Sequence, residues 1–312
     1  MRIVVALGGN ALLKRGEPMT EKAQRFNIGH AARSLASLVG AGHSLVITHG
    51  NGPQVGLLAL QAAAGPKDGA YPLDILGAET DGMIGYMIEQ ELRNRLAPVT
   101  RLVTLLTQIR VDAADPAFAL ATKPIGPGYI EEEAHRLEAE HGWRFAPDGK
   151  KLRRVVASPL PIEIIDLSVI SLLVDNGVLV ICAGGGGIPV VKQGNGGLSG
   201  IEAVIDKDRA SALLAQELHA DMLLLLTDVD AVYLDFGKPE ARAISRAGAS
   251  SFSAGEFSAG SMGPKVEAAA SFASNTGKLA AIGRLEDALA ILKGAAGTTI
   301  ESGSRAWLFA NG

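Results

Sequence analysis

A short apolar run that ends in a glycine-rich or polar loop and then leads into another element recurs along this chain. Strand-forming runs of this kind alternate with stretches that carry apolar residues at helical spacing. The alternation predicts an α/β fold with a mainly parallel sheet, in which ligand-binding groups gather outside the carboxyl ends of the strands. The four clearest copies are residues 2–10, 43–54, 178–189 and 221–233.

Periodicity predicts the elements between these copies. Within the longest predicted helix, Gly77, Gly82 and Gly85 lower helix stability but permit close packing of another backbone, which favours a subunit interface there. The predictions are helices over 21–41, 55–64, 73–96, 168–176 and 266–274, a strand over 100–111, and a hairpin or loop over 190–200.

The composition changes between about residues 112 and 157, which predicts an insertion on the sheet. It begins with a stiff, turn-rich segment, 122–129, from which Lys123 could be carried toward a ligand. The charged runs 131–138 and 150–154 are expected to be solvated faces. The tail, 301–312, gives no functional signal and is expected to pack on the surface or to be disordered.

Composition limits the classes of function. Glycines or charges interrupt the apolar runs well before membrane length, and residues 1–7 lack the long apolar region of a signal peptide, so we expect a cytoplasmic protein without a membrane span. A net charge of −4 without a dominant basic block argues against nucleic-acid binding. The single cysteine, Cys182, is expected to be an inert core thiol, and the histidines lack the spacing of a structural zinc site.

Two lysines occupy unusual positions at predicted helix starts. Asp206 is a good N-cap and Asp208 suits a first helical turn, because both carboxylates meet backbone N–H groups and the positive end of the helix dipole. Lys207, between them, opposes that dipole. Taken alone, Lys207 is more simply an incidental solvated lysine, but Lys265 repeats the anomaly after a glycine loop. Together with the glycine loops, the two lysines indicate a site for phosphates.

Sequence motifs narrow the chemistry further. The chain has no G-x-x-x-x-G-K-[ST] phosphate loop and no G-x-S-x-G nucleophile elbow. Its four-glycine run lacks the dinucleotide-binding context, which requires an acidic residue about 20 positions later. What remains is phosphoryl transfer by positioning and charge neutralisation, with lysines and backbone N–H groups supplying the field.

Seven motifs, in the same order and reaching to about residue 300, resemble those of one known family. They are Ala6-Leu7-Gly8-Gly9-Asn10-Ala11-Leu12, His49-Gly50-Asn51-Gly52-Pro53-Gln54-Val55-Gly56, Gly82-Met83-Ile84-Gly85-Tyr86, Thr122-Lys123-Pro124-Ile125-Gly126-Pro127, Ala183-Gly184-Gly185-Gly186-Gly187-Ile188-Pro189, Val204-Ile205-Asp206-Lys207-Asp208 and Ser261-Met262-Gly263-Pro264-Lys265-Val266-Glu267. On these motifs the chain resembles the carbamate kinases of the amino-acid kinase superfamily. The fourth motif separates carbamate kinases from acetylglutamate, aspartate and uridylate kinases of that superfamily.

The resemblance implies a reaction and an architecture. ATP and carbamate would give ADP and carbamoyl phosphate with Mg²⁺ carried by the nucleotide rather than by protein side chains, often in reverse to make ATP during arginine or purine breakdown. The fold would be a three-layer αβα sandwich with a central, mainly parallel sheet and a protruding insertion at about 112–157, assembled as a homodimer. Residues 1–177 would form an N-terminal lobe on the carbamate side, and residues 178–312 a C-terminal nucleotide-binding lobe.

The resemblance also implies roles for individual residues. Lys123 would reach in from the insertion, Lys207 and Lys265 would neutralise phosphates, and Asp208 would orient these lysines. The residues that would hold carbamate and the transferred phosphoryl group are Gly8, Gly9, Asn10, Gly50, Asn51 and Gly52. The residues that would contact the nucleotide are Gly185, Gly186, Thr227, Asp228, Val229, Tyr233, Met262 and Lys265.

Three positions depart from the family pattern, and two other functions stay open. Gly128 stands where an aromatic residue is usual, Asp81 where glutamine is usual, and Ala157 where proline is common. These departures concern the stiffness of the insertion and the details of the interface. One alternative is another kinase of the superfamily with a different acceptor. The other is a non-catalytic nucleotide or anion binder on the same scaffold.

Overall fold

The computed structural model describes residues 1–13, 16–65, 70–253, 255–258, 261–304 and 306–310, without the side chains of Asn10 and Ala11. Its strands are β1 (Arg2–Leu7), β2 (Ser44–His49), β3 (Leu102–Thr104), β4 (Gln108–Arg110), β5 (Lys123–Tyr129), β6 (Arg144–Asp148), β7 (Lys151–Val156), β8 (Glu163–Ile164), β9 (Leu179–Ile181), β10 (Ile188–Lys192), β11 (Leu198–Gly200), β12 (Met222–Thr227), β13 (Val232–Leu234), β14 (Arg242–Gly248), β15 (Leu279–Arg284), β16 (Thr298–Glu301) and β17 (Leu308–Phe309). Its α-helices are α1 (Gly9–Leu12), α2 (Glu21–Gly40), α3 (Gly52–Ala63), α4 (Leu73–Arg93), α5 (Glu131–His141), α6 (Leu167–Asp175), α7 (Lys207–Glu217), α8 (Met262–Thr276) and α9 (Ala288–Leu292).

A large sheet forms the centre of the molecule, in the order β13-β14-β16-β15-β12-β1-β2-β9-β3, with β17 paired to β14. The strands from β15 to β3 along this order are all parallel to their neighbours. Antiparallel pairs occur at the other edge, where β13 and β17 flank β14 and where β16 meets β15. The predicted mainly parallel sheet is confirmed.

Side chains alternate between the two faces of the sheet, so each face has its own apolar core. In β1, Ile3 and Val5 pack with residues of α2, α4 and α9 on one face. Val4 and Ala6 pack with residues of α6, α7 and α8 on the other. The predicted three-layer αβα sandwich follows from this alternation, because an apolar strand buried on both faces needs helices on both sides.

The predicted insertion forms its own three-stranded sheet, in the order β5-β7-β6, with α5 packed against it. It rests on the main body where β5 crosses α3: a Cβ on Gly56 would lie 2.1 Å from the backbone N and Cα of Gly126. The expected turn-rich segment 122–129 is instead strand β5, with a register shift between Ile125 and Gly128 and a positive φ of 72° at Gly126. The turn residues therefore bend a strand rather than replace it.

Two other predictions about elements need correction. The expected strand 100–111 divides into β3 in the large sheet and β4 in a second sheet, β11-β10-β4-β8. The division follows a change of partner, because Leu105 N donates to Ile181 O whereas Val111 N donates to Val190 O. The helix expected from residue 266 begins at Met262.

One expectation about side-chain exposure was also wrong in part. Arg154 belongs to a charged run expected to be solvated, yet it is buried, because its guanidinium stacks 3.9 Å from the Trp143 ring centroid. Of the three glycines in α4, a Cβ on Gly85 would come within 2.3 Å of Thr104, whereas Gly77 and Gly82 have nothing within 4 Å in the described chain. In the tail, β17 packs on β14.

Across the described residues, no helix is both long and apolar enough to span a membrane.

Candidate active site

A cleft of about 350 Å³ opens where the carboxyl ends of β1, β2 and β12 meet, as a parallel sheet predicts. Its floor and walls come from the loops after these strands, from the starts of α3, α7 and α8, and from the insertion. The lining residues are Gly8, Gly9, Gly50, Asn51, Gly52, Pro53, Thr122, Lys123, Pro124, Arg153, Ser158, Gly185, Asp206, Lys207, Asp208, Arg209, Thr227, Ser261, Pro264 and Lys265.

The start of α7 sets one wall of the cleft. Asp206 is the N-cap, as expected: its Oδ1 accepts from the backbone N–H groups of Asp208 at 2.9 Å and Arg209 at 3.2 Å. This capping fixes the backbone from which the side chains of Lys207 and Asp208 project.

Three lysines and two aspartates converge here and are called the charge cluster: Lys123, Lys207, Lys265, Asp206 and Asp208. Lys123 Nζ donates to Asp206 Oδ2 at 2.5 Å. Asp208 lies between the other two lysines. Its Oδ2 accepts a hydrogen bond from Lys265 Nζ at 3.1 Å, and its Oδ1 lies 2.9 Å from Lys207 Nζ in an ion pair. Three cations against two carboxylates leave the cluster one positive charge in excess, which suits an anionic ligand.

Lys207 is the least satisfied member of the charge cluster. The side chain is 8% exposed, and its contact with Asp208 lacks hydrogen-bond geometry, so Nζ has no hydrogen-bond partner among the described residues. An ammonium group buried in this way retains its N–H donors for a ligand. Because Lys207 lines the cleft, those donors are available to an anion bound there.

Burial and ion pairing act in opposite directions on the charge cluster. Burial lowers the pKa of Lys207, and the Asp208 and Asp206 carboxylates compensate for this only in part. Burial alone would lower the pKa of Lys265 too, but the Asp208 carboxylate raises it. Burial would raise the pKa of Asp208, yet the flanking lysines bring it well below its usual range. Both lysine charges therefore depend on Asp208.

Opposite the charge cluster, glycine loops press closely together. A Cβ on Gly8 would lie 3.0 Å from Leu226 O, and one on Gly50 would lie 3.2 Å from Gly9 N. Asn51 donates through Nδ2 to Thr80 Oγ1 at 2.9 Å, and a Cβ on Gly185 would come within 2.1 Å of that amide. A side chain at Gly185 cannot be accommodated, and one at Gly8 or Gly50 would require the facing backbone to shift. The backbone itself therefore forms this wall of the cleft.

Most of the predicted site residues come together in this cleft, but several do not line it. The side chain of Asn10 lies outside the described residues. Gly186 is buried behind the lining, where a Cβ would meet Ile205 O at 2.4 Å. The remaining predicted nucleotide residues follow the carboxyl end of β12 or begin α8, beyond the cleft lining: Asp228, Val229, Tyr233 and Met262.

Sequence reasoning missed several members of the site. It treated Asp206 as an N-cap alone, whereas Oδ2 also binds Lys123 across 83 positions of sequence. It assigned Arg153 to a solvated run, whereas this residue of β7 lines the cleft, as does Arg209. The basic run 150–154, in the same insertion as Lys123, is the sequence signal that could have suggested Arg153.

The described residues contain no group of three or more histidine, cysteine, aspartate or glutamate side chains arranged to hold a metal ion. The two carboxylates in the cleft, Asp206 and Asp208, are occupied by lysines. Cys182, 1% exposed, is far from reactive, because burial strongly raises the pKa of its thiol.

Comparison with known proteins gives a consistent set of relatives. Residues 1–283 match the model of the amino acid kinase family. The carbamate kinase of Haemophilus influenzae is 56% identical over 300 residues, which cover 96% of each chain. The structure of carbamate kinase from Giardia lamblia bound to citric acid superposes with a TM-score of 0.90 at 42% identity and covers 97% of this chain and 98% of that one. The same enzyme bound to AMP-PNP superposes with a TM-score of 0.86 at 43% identity, with the same coverage.

Proposed function

The chain belongs to the amino acid kinase family, within its carbamate kinases, and from that membership we propose that its cleft transfers a phosphoryl group reversibly between ATP and carbamate. The observation that carries the proposal is the charge cluster facing a wall of glycine backbone in a single cleft. In its reverse direction the reaction makes ATP from carbamoyl phosphate, which would serve arginine or purine breakdown. Because ATP and ADP are its reactants, we also propose a cytoplasmic location.

The chemistry explains why the cleft contains lysines rather than a general base. Carbamate is already an anion, so its attacking oxygen needs no proton removed. The main barrier is to bring two anionic reactants into line. Lys207 and Lys265 would neutralise the phosphates as charge shifts from the γ-phosphoryl group toward ADP, and Asp208 would hold both ammonium groups in place.

The insertion would complete the site through Lys123. Its ion pair with Asp206 already brings β5 to the start of α7. A phosphoryl group entering the cleft would compete with Asp206 for the ammonium of Lys123. We propose that this exchange lets the insertion contact the substrate, with Arg153 of β7 adding positive charge to the same side.

The two halves of the cleft would then divide the substrates between them. The loops with Gly8, Gly9, Gly50 and Gly52 would hold carbamate and the transferred phosphoryl group by backbone N–H groups, with Asn51 and Asn10 beside them. The nucleotide would lie over Gly185, Gly186 and Thr227 and extend toward the residues after β12 and at the start of α8: Asp228, Val229, Tyr233 and Met262. The AMP-PNP named for the Giardia relative supports a nucleotide in this cleft.

Mg²⁺ would enter with the nucleotide. The lysine-occupied carboxylates of the cleft do not offer a protein cage, which fits a metal held chiefly by phosphate oxygens and water. When bound, the ion would neutralise part of the charge on the β- and γ-phosphates.

We also propose that the chain forms a homodimer through α4. Ile75, Met83 and Tyr86 are exposed along this helix, and Gly77 and Gly82 leave space for close approach. Sedimentation velocity should give the mass of two chains. Met83→Glu should shift the equilibrium toward single chains, and an unaltered dimer would place the interface elsewhere.

The test of function is ATP formation from carbamoyl phosphate and MgADP by the purified protein. Acceptor competition in the ADP-forming direction separates carbamate from the acceptors of other kinases of the family. Nucleotide binding without ATP formation would favour a non-catalytic binder.

A further inference from the structure

A buried histidine–aspartate pair lies beneath the glycine loops, and the transfer reaction described above does not use it. His49 ends β2 and Asp81 lies in α4, with exposed fractions of 1% and 3%. Nε2 of His49 is 3.5 Å from Oδ1 of Asp81. The pair also supports the loop after β9, since a Cβ on Gly184 would lie 1.5 Å from Asp81 Oδ1 and 2.4 Å from the imidazole.

The contacts of the imidazole fix how many protons this pair must hold. Nδ1 of His49 faces the carbonyl oxygen of Gly50 at 3.3 Å, and a carbonyl only accepts, so this contact requires the proton on Nδ1. A neutral imidazole then presents a bare Nε2 to the Asp81 carboxylate, which when ionised also only accepts. Two acceptors face each other unless one further proton lies between them.

The surroundings also favour a pair without net charge. Asp81 Oδ2 is buried and has no hydrogen-bond partner in the described part of the chain, so an ionised carboxylate would be poorly solvated. The positive charge of Lys207 in α7 opposes protonation of the imidazole, and the charge of the Asp81 carboxylate raises the pKa of the Cys182 thiol after β9. Burial chiefly lowers the pKa of His49 to about 4 and raises the pKa of Asp81 well above its usual value.

We propose that Asp81 is a positioning residue for the acceptor half of the cleft, where it shares one proton with His49 and keeps the base of the two glycine loops uncharged. Loss of that proton would place a carboxylate beneath loops that bind an anion. It would also set Oδ1 against the lone pair of Nε2 and so displace the imidazole that contacts Gly50. The effect on substrate rests on the proposed function, whereas the shared proton does not.

The shared proton can be tested without any activity measurement. Asp81→Asn keeps the size of the side chain and a neutral N–H donor but cannot ionise. In the unfolded chain Asp81 loses its proton above about pH 4, whereas the folded pair keeps one. The folded pKa is thus raised, so its stabilisation is complete below that pH and is lost as pH rises.

The ratio of the unfolding constants, wild type over Asp81→Asn, should therefore rise about tenfold per pH unit from about pH 4 until the pair releases its proton. Lys207 titrates in both proteins and cancels from the ratio. Glu79→Gln, which alters an exposed carboxylate on the same helix, is the matched control. A pH-independent ratio for Asp81→Asn would overturn the proposal.

Two further measurements complete the test. If Asp81→Asn does not fold, the ¹³C carboxyl resonance of Asp81 can be measured in the wild-type protein, where it should report a protonated group at pH 6. An ionised Asp81 together with a neutral His49 at that pH would overturn the proposal. In the active protein, KM for carbamoyl phosphate should rise with pH once the pair ionises, with kcat less affected, and this rise should be absent in Asp81→Asn. Superimposable KM profiles would refute the positioning role, whereas an inactive wild-type protein would refute the proposed function and leave the unfolding test intact.

Discussion

Replacing Lys207 separates the stability of the charge cluster from its function. Lys207→Met removes the ammonium group but keeps most of the volume of the side chain. Removing one partner of a buried ion pair costs about 3–5 kcal/mol when the other charge is left uncompensated. Here Asp208 retains Lys265 Nζ at 3.1 Å, so the remaining carboxylate is still paired.

The structure therefore predicts a small change in stability. The variant also loses the cost of burying an ammonium that has no hydrogen-bond partner among the described residues. We expect the free energy of unfolding of the ligand-free variant to lie within about 1 kcal/mol of the wild-type value or above it. Replacing buried charge by apolar groups is often neutral or stabilising. Turnover should nevertheless fall by about 10²-fold or more, as for other preorganised electrostatic groups.

Urea unfolding without ligands and ATP formation from carbamoyl phosphate measure the two effects. Lys238→Met is the matched control, because Lys238 forms an exposed ion pair with Asp235 and should change neither quantity appreciably. Destabilisation of about 3 kcal/mol or more would mean that Lys265 does not compensate Asp208. Near wild-type turnover would show that Lys207 does not act in the transfer step.

Three further substitutions test the other parts of the site. Lys265→Ala should fold and lose most activity in the same assay, and retained turnover would exclude its phosphate role. Asp206→Asn keeps an N-cap but weakens the bond to Lys123, so we expect kcat/KM to fall about tenfold at nearly unchanged thermal stability. Unchanged kinetics would show that the bond between Lys123 and Asp206 has no role in the reaction. Gly56→Ala would place a methyl group 2.1 Å from Gly126. Tm should therefore fall by an amount equivalent to about 1–3 kcal/mol, and turnover should drop as the insertion shifts. Wild-type Tm and turnover would contradict this packing.

Local patterns in the sequence predicted the architecture and the glycine loops of the candidate site. Strand β1 is apolar over residues 3–7 and β12 over residues 222–226, because these residues are buried on both faces, and that pattern is visible in the sequence. The N-cap at Asp206 was likewise predictable, because its hydrogen bonds reach only two and three residues along the chain.

What could not be predicted depends on contacts between distant segments. The bond from Lys123 to Asp206 exists only because β5 packs on α3, which no local pattern encodes. Arg154 carries the charge pattern of a solvated run, but Trp143, which immediately precedes β6, covers it. The buried partnership of His49 and Asp81 likewise joins β2 to α4. In each case tertiary packing decides the environment of an ionisable group. The local sequence alone would place that group on an exposed surface or in a loop.

We propose that the charge cluster and the glycine loops form one site for transfer between carbamoyl phosphate and ADP. The most direct measurement is the initial rate of ATP formation from these two reactants and Mg²⁺, for the wild-type protein and Lys207→Met side by side at equal folded concentration. We expect steady turnover by the wild type and a loss of about 10²-fold or more in the variant. No ATP from a folded, nucleotide-binding wild-type protein, or equal rates for the two proteins, would contradict it.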